Sequence, residues 1–529
     1  MPVAIDRSRP LNILTVCAEG PRVLTGGLGE AFGQIAGSLA ARGHNVVCFT
    51  PRYRQSEERI EFPGRPAFTV DVSVRGAIKR APVFERMSET RQGVRLQYLY
   101  EPHYYGGNGI YGNTYFNPDT KMSIFREYKD NGERFAYLSF GAVEAPMTTG
   151  WIPDIIHFHD WHTGFVPAAF NHGFGGRYME DRITATVMTI HNASQYNPTD
   201  DRQLDERFLD IFGLPRELYT TQLTEFMGKI SMLLAGARMA DAVNTVSPTY
   251  ADEIRTLFPD TMMRYGPQIT GAFAEIAGSK PYAGILNECN YTDATLFDHP
   301  EVKPLIIGTD SAYGNKQTVK RHVQQHFGLP VNASIPLIGM VARVDRIQKG
   351  YDLAIVAAKR LLESGVNAQF LLCGTGDLEL MREMNKLRND FPDNVALIND
   401  GKRAFEESFW VFAGSDLFWM PSRFEPCGIA QMKALAYGAL PVVFDTGGLH
   451  DTIIDIDSDP NNGNGFVFKQ YTADSFEEVT RRALVVRTQA HRWEPLVDRA
   501  VKIRFTGEAS AIAYENLFLD ALEHKARRY

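Results

Sequence analysis

Two basic side chains, Arg343 and Lys349, stand in the segment VARVDRIQKG, between an apolar run and a stretch with helical periodicity. In a doubly wound sheet, ligands bind in the crevice beyond the carboxyl ends of the strands, which is where this segment would lie. The guanidinium fork matches phosphate oxygens and the lysine ammonium is a compact charge, so the pair could stabilise a leaving diphosphate. Taken in isolation, such a segment is more often a solvated basic loop.

A carboxylate lies close to a predicted helix start in MPSRFEPCGIAQ, residues 420–431. Glu425 follows an apolar run and precedes Gly428 and Ile429, whose backbone N–H groups would open the helix. Free N–H groups at a helix start attract anions, and a carboxylate accepts hydroxyl protons, so this segment could bind sugar hydroxyls and phosphate together. Cys427 is interpreted as a packed small residue, since no local cation or histidine would activate its thiol.

A glycine-rich turn separates the first apolar run from the first helical pattern and contains Thr25, Gly26 and Gly27, with Glu30 following. Glycine lets a phosphate approach the backbone closely, and the helix dipole favours an anion there. The turn is therefore a candidate for binding a diphosphate. It matches neither a Walker loop nor the GxGxxG pattern, and an ordinary strand-to-helix turn is the alternative.

Three histidines in HFHDWHTG, namely His157, His159 and His162, raise the question of a metal site. The first two project to the same face of a buried strand and no further ligand completes a shell, so no metal site is predicted. His162 comes just past the strand end and is interpreted as a hydrogen-bonding group at the carboxyl edge of the sheet. His191 and Asn192, in TIHN, follow another apolar run and occupy the same kind of position.

The elements that must position these residues follow the order of an α/β protein. An apolar run at residues 11–18, the glycine-rich turn, a helical pattern ending at Gly43 and a second apolar run at residues 46–49 form a βαβ unit. The same alternation restarts at Pro336–Val341. The sequence therefore predicts two doubly wound parallel sheets.

The length of 529 residues is enough for two large domains. We predict an N-terminal Rossmann-like domain at residues 1–300 on the acceptor side and a C-terminal Rossmann-like domain at residues 301–505 that binds the nucleotide sugar. Residues 506–529 are predicted to form a helix that packs back on the first domain.

Composition excludes several classes of protein. Apolar residues make up 44% and charged residues 22%, which is typical of a globular chain, and the net charge of −8 argues against a nucleic-acid partner. The five cysteines form no CxxC pair, which argues against a disulfide framework. No apolar stretch is long enough to span a membrane and the N-terminus lacks the apolar core of a signal peptide, so we expect a cytoplasmic protein without a membrane partner.

Taken together, the motifs resemble those of the bacterial glycogen synthase and plant starch synthase family, glycosyltransferase family 5, nearly from end to end. The matching stretches are LTGGLGE, ARGHNVVCFTPRY, DNGERFAYLS, HDWHTG, TIHN, TVSPTYADEI, GILN, QKGYDL, GTGD, PSRFEPCGIAQ and YGALPVVFDTGGLHDT. The segment PSRFEPCG followed by Gln431 is the most specific, because the related family 4 transferases usually carry a second glutamate where this chain has Lys433.

The resemblance implies the GT-B fold, an α/β architecture in which two doubly wound Rossmann-like domains face a central cleft that binds the donor. It implies a retaining hexosyltransferase that passes glucose from a nucleoside-diphosphate glucose, with ADP-glucose favoured, to the non-reducing end of an α-1,4-glucan. Neither a cofactor nor a metal is implied. The diphosphate would leave from the face at which the acceptor arrives and its own oxygen would take the acceptor proton, so no side-chain base is required.

The resemblance also assigns roles to single residues. The catalytic positions are Arg343, Lys349, Glu425, His162 and Asp130. The donor-binding positions are Thr25, Gly26, Gly27, Glu30, Asn287, Cys427, Gly428, Ile429, Thr446, Gly447 and Gly448. The acceptor and cleft positions are Tyr111 and Asn192. Among these, Arg343 and Lys349 would hold the diphosphate, and Glu425 with the amides of the turn that follows it would hold the glucosyl ring.

The chain departs from the family pattern around the donor. Leu24 stands where the family has a lysine beside the donor phosphates, and Glu30 replaces a shorter acidic residue. In GILNECN, Glu288 and Asn290 replace glycine and aspartate at a loop expected to face the sugar. Arg403 is the closest candidate for the aromatic residue that stacks on adenine in the family.

These departures leave two alternatives to a glucan synthase. One is a transferase of the same fold with a different donor or acceptor. The other is a non-catalytic protein that binds glucan or regulates a partner. Retention of Arg343, Lys349 and Glu425 argues against the second, because a protein that only binds the polymer does not need them.

Overall fold

The computed structural model of the chain describes residues 9–20, 27–57, 60–117, 122–173, 175, 183–193, 204–256, 267–291, 297–306 and 311–528. The chain divides into an N-terminal unit, Met1–Glu288 with Gly507–Tyr529, and a C-terminal unit, Cys289–Thr506. The predicted boundary at residue 300 lies later than this division. The reason is that the backbone N–H of Cys289 donates to the carbonyl of Phe505 at 3.0 Å, which ties this segment to the end of the C-terminal unit.

The N-terminal unit is built on a nine-stranded sheet with two small antiparallel ribbons. Its strands are β1 (Asn12–Val16), β2 (Asn45–Pro51), β3 (Phe68–Val74), β4 (Ala77–Met87), β5 (Val94–Leu99), β6 (Gly112–Asn117), β7 (Met122–Glu127), β8 (Ile155–His159), β9 (Ala185–Ile190), β10 (Glu225–Phe226), β11 (Lys229–Ile230), β12 (Ala242–Thr245) and β13 (Tyr282–Gly284). The main sheet has the order β13-β12-β9-β8-β1-β2-β5-β4-β3. It is parallel from β13 through β5, and β4 and β3 add an antiparallel hairpin.

Helices cover the sheet, so its central strands are buried along their whole length. The helices of this part of the chain are α1 (Gly27–Ala41), α2 (Arg54–Glu57), α3 (Pro102–Tyr105), α4 (Asn131–Thr149), α5 (Val166–His172), α6 (Phe208–Ile211), α7 (Met232–Met239), α8 (Pro248–Arg255) and α9 (Pro267–Ser279), with 3-10 turns at Trp161–Thr163 and Arg216–Leu218. Every residue of β8 and β9 is buried, as expected for parallel strands with both faces covered.

The C-terminal unit is a six-stranded parallel sheet with the order β16-β15-β14-β17-β18-β19. Its strands are β14 (Leu337–Val341), β15 (Gln369–Cys373), β16 (Val395–Ile398), β17 (Leu417–Met420), β18 (Leu440–Phe444) and β19 (Phe466–Phe468). Its helices are α10 (Lys303–Ile306), α11 (Ala312–His326), α12 (Tyr351–Glu363), α13 (Leu378–Asp390), α14 (Gly401–Gly414), α15 (Ala430–Ala436), α16 (Gly447–Thr452), α17 (Ala473–Arg487) and α18 (Ala490–Ala500). The prediction of two doubly wound Rossmann-like domains is confirmed.

The last helix, α19 (Gly507–Ala526), belongs to the N-terminal unit, where it packs against α1, β9 and β12. Glu515 of this helix accepts from Arg42 Nε and lies 2.8 Å from His44 Nε2, beyond the end of α1. Tyr514 Oη is 3.2 Å from the amide of Asn244 on β12. Within the described residues, no helix is both long and apolar enough to cross a membrane.

In each unit the order of the parallel strands reverses beside the first strand. The reversal falls between β1 and β8 in the N-terminal unit and between β14 and β17 in the C-terminal unit. Crevices outside the carboxyl ends of strands at such switch points are where open α/β sheets bind ligands. The residues that follow these four strands are therefore the candidates for function.

Candidate functional site

The loop after β14 holds Arg343 in an open position. The side chain of Arg343 is 56% exposed, its Nε lies 3.2 Å from Asp345 Oδ2, and its Nη2 donates to Gln348 Oε1 at 3.2 Å. Asp345 shapes the loop, because its Oδ1 accepts the backbone N–H groups of Ile347 and Gln348 at 3.0 and 2.6 Å. The guanidinium is thus oriented by side chains and still accessible to an anion.

Lys349 and Glu425 form an ion pair that joins the loops after β14 and β17. Lys349 Nζ lies 2.6 Å from Glu425 Oε2, and Ser422 Oγ donates to the same oxygen at 3.0 Å. The side chains of Lys349 and Glu425 are only 19% and 7% exposed. A cation and a carboxylate predicted from separate motifs are therefore in contact at the switch point of the C-terminal unit.

Gly350 allows these two loops to approach each other. Its φ of +73° is in the left-handed region, and a Cβ at this position would lie 2.0 Å from the carbonyl oxygen of Pro421. The backbone N–H of Arg423 donates to the carbonyl of Gln348 at 2.8 Å, which closes the same contact. Only glycine fits at position 350 without moving the loop that carries Lys349.

The loop after β18 packs against the turn that follows Glu425. The N–H of Gly448 donates to the carbonyl of Glu425 at 2.9 Å, and a Cβ on Gly448 would lie 2.1 Å from the carbonyl oxygen of Cys427. Thr446 and Gly447 begin α16 at the same place. Cys427 is buried and forms no disulfide, in line with its interpretation as a packed small residue.

Gln431 fixes the turn between Cys427 and α15. Its Nε2 donates to the carbonyls of Cys427 and Gly428, at 3.0 and 2.9 Å, and to Thr452 Oγ1 at 3.1 Å. Gly428 has a φ of +70° and Ile429 caps α15. The structure thus brings the predicted residues of this turn together around one glutamine amide.

Glu19 organises the switch point of the N-terminal unit. Its buried carboxylate follows β1, accepts from Tyr111 Oη at 2.8 Å through Oε1, and accepts the backbone N–H of Gly29 at 3.2 Å through Oε2. Gly29 lies in the first turn of α1, whose free N–H groups favour a negative charge. Burial raises the pKa of the Tyr111 hydroxyl well above its usual range, and the charge of Glu19 adds to this shift.

His162 stacks on Tyr111 and is held in a buried neutral state. The two rings are 4.8 Å apart with an interplanar angle of 27°, and Phe135 packs edge-on against the imidazole at 5.1 Å. Burial lowers the pKa of His162 to about 3, and nearby His191 adds to this shift. His162 Nδ1 has no hydrogen-bond partner among the residues that the structure describes.

The other histidines of this edge are hydrogen-bonded to one another and to threonines. His159 Nδ1 lies 3.0 Å from His191 Nε2, and His159 Nε2 lies 3.1 Å from Thr15 Oγ1. His157 Nε2 lies 2.6 Å from Thr189 Oγ1. Burial lowers the pKa values of His157 and His191 to about 3. In the described part of the chain, no three His, Cys, Asp or Glu side chains are grouped to hold a metal ion.

Asp160 connects the ends of β8 and β9. Its Oδ1 accepts the backbone N–H groups of His191 and Asn192 at 2.6 and 3.3 Å, which positions the TIHN loop. Its φ of +57° is rare for a residue other than glycine and marks local strain. Burial raises the pKa of this carboxyl to about 7.

Asn287 and Glu288 are the last two residues before the C-terminal unit begins, and their side chains have different surroundings. Asn287 is buried, and its Oδ1 has no hydrogen-bond partner within the described residues. Glu288 Oε1 accepts from Ser38 Oγ of α1 at 2.8 Å, and its Oε2 lies against Gly507. The expectation that Glu288 faces the sugar is wrong, because its carboxylate is buried between α1 and α19. Asn290 is half-buried and belongs to the C-terminal unit.

Asp130 is exposed just before α4 and lines a cavity whose lining includes neither Tyr111 nor His162. This cavity of about 420 Å³ is also lined by Lys79, Tyr104 and Glu133. The link to Tyr111 is indirect, because the neighbouring side chain of Asn131 donates to the Tyr111 carbonyl at 2.8 Å.

Parts of the glycine-rich turn lie outside the described residues. Leu24, Thr25 and Gly26 belong to that segment, whereas Gly27 begins α1 and Glu30 is half-buried in its first turn. Sequence reasoning missed Glu19, Asp160, Ser422 and Gln348 as positioning residues. Glu19, Asp160 and Ser422 share one signal, a polar residue soon after an apolar run, which many loop residues also show, and Gln348 in DRIQKG lacks it.

Two Rossmann-like units, each with charged or polar side chains after the strands at its switch point, have the architecture of a glycosyltransferase of the GT-B fold. Residues 12–273 match the family described as starch synthase catalytic domain, and residues 321–495 match glycosyl transferases group 1. The chain is 33% identical over 525 residues to the glycogen synthase of Moorella thermoacetica, covering 98% of both chains. It is 34% identical over 526 residues to that of Anaeromyxobacter dehalogenans strain 2CP-C, covering 96% of this chain and 99% of the relative.

A solved structure agrees with these relatives. The catalytic domain of starch synthase IV from Arabidopsis thaliana, bound to ADP and acarbose, superposes with a TM-score of 0.80 at 27% identity, covering 97% of this chain and 100% of that one. The chain belongs to the glycogen synthase and starch synthase family. It is a hexosyltransferase that passes glucose from a nucleoside-diphosphate glucose to a glucan, which confirms the family and activity expected from the motifs.

Proposed function

We propose that the chain is a retaining, metal-independent transferase that prefers ADP-glucose and extends the non-reducing end of an α-1,4-glucan. The observation that carries the proposal is the contact of Lys349 with Glu425 at the switch point of the C-terminal unit, beside Arg343. Cations bind a diphosphate, and groups that accept hydrogen bonds from hydroxyls bind a sugar. The loops after β14 and β17 offer both. ADP is proposed because the similar catalytic domain of starch synthase IV was solved with ADP bound.

Arg343 and Lys349 are proposed to stabilise the charge that develops on the diphosphate as its bond to glucose C1 breaks. Removing one hydrogen-bond donor that stabilises such a charge typically raises the free-energy barrier of the reaction by about 3 kcal/mol. Glu425 Oε2 is engaged by Lys349 and Ser422, whereas Oε1 makes no hydrogen bond within the described residues. We assign Oε1 to the sugar hydroxyls.

In the N-terminal unit, Tyr111 and Asn192 are proposed to contact the acceptor, and His162 is proposed as a catalytic residue that lines the sugar side. Asn287 Oδ1, which is buried and has no partner in the described part of the chain, is proposed to accept a sugar hydroxyl. Asp130 stays a proposed catalytic residue on the resemblance alone, since its described surroundings are those of the 420 Å³ cavity.

The pKa values of the histidines support transfer without a side-chain base. A group with a pKa of about 3, such as His162 or His191, is a poor acceptor for the acceptor's hydroxyl proton at neutral pH. In the proposed step, the acceptor oxygen bonds to C1 from the face that the diphosphate leaves. Because the new bond forms on the face from which the old bond breaks, the configuration at C1 is retained, and the acceptor's proton passes to the departing phosphate oxygen.

The cysteines support a cytoplasmic location. All five lie in the described part of the chain, all are buried, and none forms a disulfide. Thiols in this state are typical of a reducing compartment.

The test is ADP or UDP release by the purified chain with ADP-glucose or UDP-glucose, using maltotriose as acceptor. We expect acceptor-dependent ADP release that is faster than UDP release, unchanged by EDTA, with an α-anomeric product by NMR. Glu425→Gln should lose activity, whereas Lys386→Ala, an exposed change on α13, should not. Faster use of UDP-glucose, a β-product, or inhibition by EDTA would each refute the corresponding part of the proposal.

A further inference from the structure

The segment between α3 and β6 carries Tyr111 and is rich in glycine. Its residues 106–111 read GGNGIY and are called the Tyr111 loop below. Glycine leaves the backbone many conformations, so the sequence of this loop does not fix its own path. Contacts from outside the loop must therefore place Tyr111, whose hydroxyl donates to Glu19 and whose ring stacks on His162.

The guanidinium of Arg134, near the start of α4, holds the backbone on both sides of these glycines. Its Nε donates to the carbonyl of Tyr104, just before the Tyr111 loop, at 2.6 Å. Its Nη1 donates to the carbonyl of Ile110, within the loop, at 3.0 Å. The hydroxyl of Tyr105 donates back to the carbonyl of Arg134 at 2.8 Å. The planar guanidinium therefore sets the distance between the two sides of the glycine-rich stretch.

Arg134 also orients the amide that holds Tyr111 itself. Its Nη1 donates to Asn131 Oδ1 at 2.5 Å, and Asn131 Nδ2 donates to the carbonyl of Tyr111 at 2.8 Å. A guanidinium has only donors, so the amide oxygen of Asn131 must face it, which leaves the amide NH2 for the carbonyl of Tyr111. The position of Arg134 thus determines that of Tyr111 through a single intervening side chain.

The charge of Arg134 is buried without an acidic partner. The residue is 1% exposed, it forms no ion pair within the described residues, and its Nη2 has no hydrogen-bond partner there. The ring of Tyr128 lies 4.4 Å from its Cζ. Burying a charge in this way is costly and stabilises a fold little, so we attribute to Arg134 a role in fixing geometry.

We propose that Arg134 is a positioning residue for the glucan acceptor, which acts by holding the Tyr111 ring where that ring meets the acceptor. The inference rests on the proposed function, which assigns Tyr111 to the acceptor, and it deepens that function. Lysine cannot replace Arg134, because an ammonium is a compact charge without the planar fork that bonds several fixed acceptors at once.

The test measures kcat and KM for maltotriose and for ADP-glucose in Arg134→Lys, Tyr111→Ala and the double variant. We expect Arg134→Lys to lower kcat/KM for maltotriose about tenfold or more through misplacement of Tyr111, with an unchanged KM for ADP-glucose. In the Tyr111→Ala background, Arg134→Lys should cause no further loss, because both changes act through one ring. Arg499→Lys is the matched control and should keep wild-type kinetics. Arg499 Nη1 also bonds two loop carbonyls, those of Pro460 and Gly463, at 3.2 and 2.8 Å, but that loop carries no proposed site residue.

Wild-type kcat/KM for maltotriose in Arg134→Lys would overturn the inference. A rise in the KM for ADP-glucose equal to that for maltotriose would also overturn it, because a general change in the fold would then explain both. If Arg134→Lys does not fold, Asn131→Asp takes its place. This change keeps an acceptor for the guanidinium, removes the donor to the carbonyl of Tyr111, and should give the same kinetic pattern.

The double variant separates this inference from the proposed function. A loss in Tyr111→Ala that Arg134→Lys deepens by the same factor as in the wild type would overturn the role of Arg134 alone. Wild-type kcat/KM for maltotriose in Tyr111→Ala would refute the proposed acceptor role of Tyr111, and the inference would fall with it.

Discussion

Removing one charge of the Lys349–Glu425 pair should separate its contribution to stability from its contribution to catalysis. Removing one partner of a fully buried pair typically costs about 3–5 kcal/mol. Lys349 is 19% exposed and can partly reach water, so we expect Glu425→Gln to lower the free energy of unfolding by about 2 kcal/mol. Lys349→Met leaves the more buried carboxylate without its cation, and we expect a loss of about 3 kcal/mol.

The double variant should be more stable than either single variant. With both charges gone, neither side chain leaves an uncompensated charge in the loop pair, and replacement of a buried pair by apolar groups is often close to neutral. Activity should behave differently. Each single variant should lose about 10²–10³-fold in kcat/KM, and the double variant should not recover, because the diphosphate and the sugar have lost their partners.

The assay combines urea unfolding, followed by tryptophan fluorescence, with ADP release from ADP-glucose and maltotriose. The matched control is the exposed pair Lys402–Glu406 on α14, with 3.9 Å between Nζ and Oε1. The same substitutions there should change the free energy of unfolding by less than about 0.5 kcal/mol. A double variant at Lys349 and Glu425 that is less stable than both single variants would show that the two charges do not stabilise each other. Turnover of Lys349→Met within about threefold of the wild type would refute its role at the diphosphate.

Three further predictions concern the switch points. Burial raises the pKa of Asp160 to about 7, so the folded chain holds this proton more tightly than the unfolded chain and stability falls as pH rises from about 4 to 7. The asparagine in Asp160→Asn cannot titrate, so the free energy of unfolding of this variant should rise relative to that of the wild type as pH rises over this range. The increase should be at most about 1.4 kcal/mol per pH unit, measured by urea unfolding at each pH. Glu19→Gln should cost about 2 kcal/mol in urea unfolding and raise the KM for maltotriose, because the amide NH2 replaces one of the two oxygens that accept from Tyr111 and Gly29. Gly350→Ala should cost at least about 2 kcal/mol and lower kcat with ADP-glucose, because Lys349 must move.

Each of these predictions has a result that contradicts it. A stability difference between Asp160→Asn and the wild type that does not change across this pH range would mean that the carboxyl titrates normally. Wild-type kinetics in Glu19→Gln would show that Tyr111 needs no acceptor to contact the glucan. Gly365→Ala is the control for Gly350→Ala, since Gly365 has a φ of +82° but open space where a Cβ would lie, and an equal loss of kcat there would refute the steric explanation.

Sequence periodicity located the candidate site of the C-terminal unit because its loops follow strands β14 and β17, which are covered on both faces. Such strands are continuous apolar runs, so the polar residues directly after them are easy to recognise. Arg343 and Glu425 were found this way, and the sheet order then places the ends of β14 and β17 side by side. The fold and the location of the candidate site therefore follow from local patterns.

The contacts within the site do not follow from local patterns. Lys349 and Glu425 are 76 positions apart, and Glu19 and Tyr111 are 92 apart, so neither pair leaves a signal in a sequence window. The backbone of Asp160 has a φ of +57°, which no residue type in HDWH requires. These features depend on how strands and loops pack, and only the structure shows them.

The departures from the family pattern do not all bear on the donor. Glu288 accepts from Ser38 and lies so close to Gly507 that a Cβ there would be 2.2 Å from its Oε2 and 2.0 Å from Ser38 Oγ. Burial between α1 and α19 raises the pKa of the Glu288 carboxyl. Arg403 is likewise engaged by Glu407. Glu288 thus has a structural explanation within its own unit, and the effects of Leu24, Glu30, Asn290 and Arg403 on the donor have to be measured.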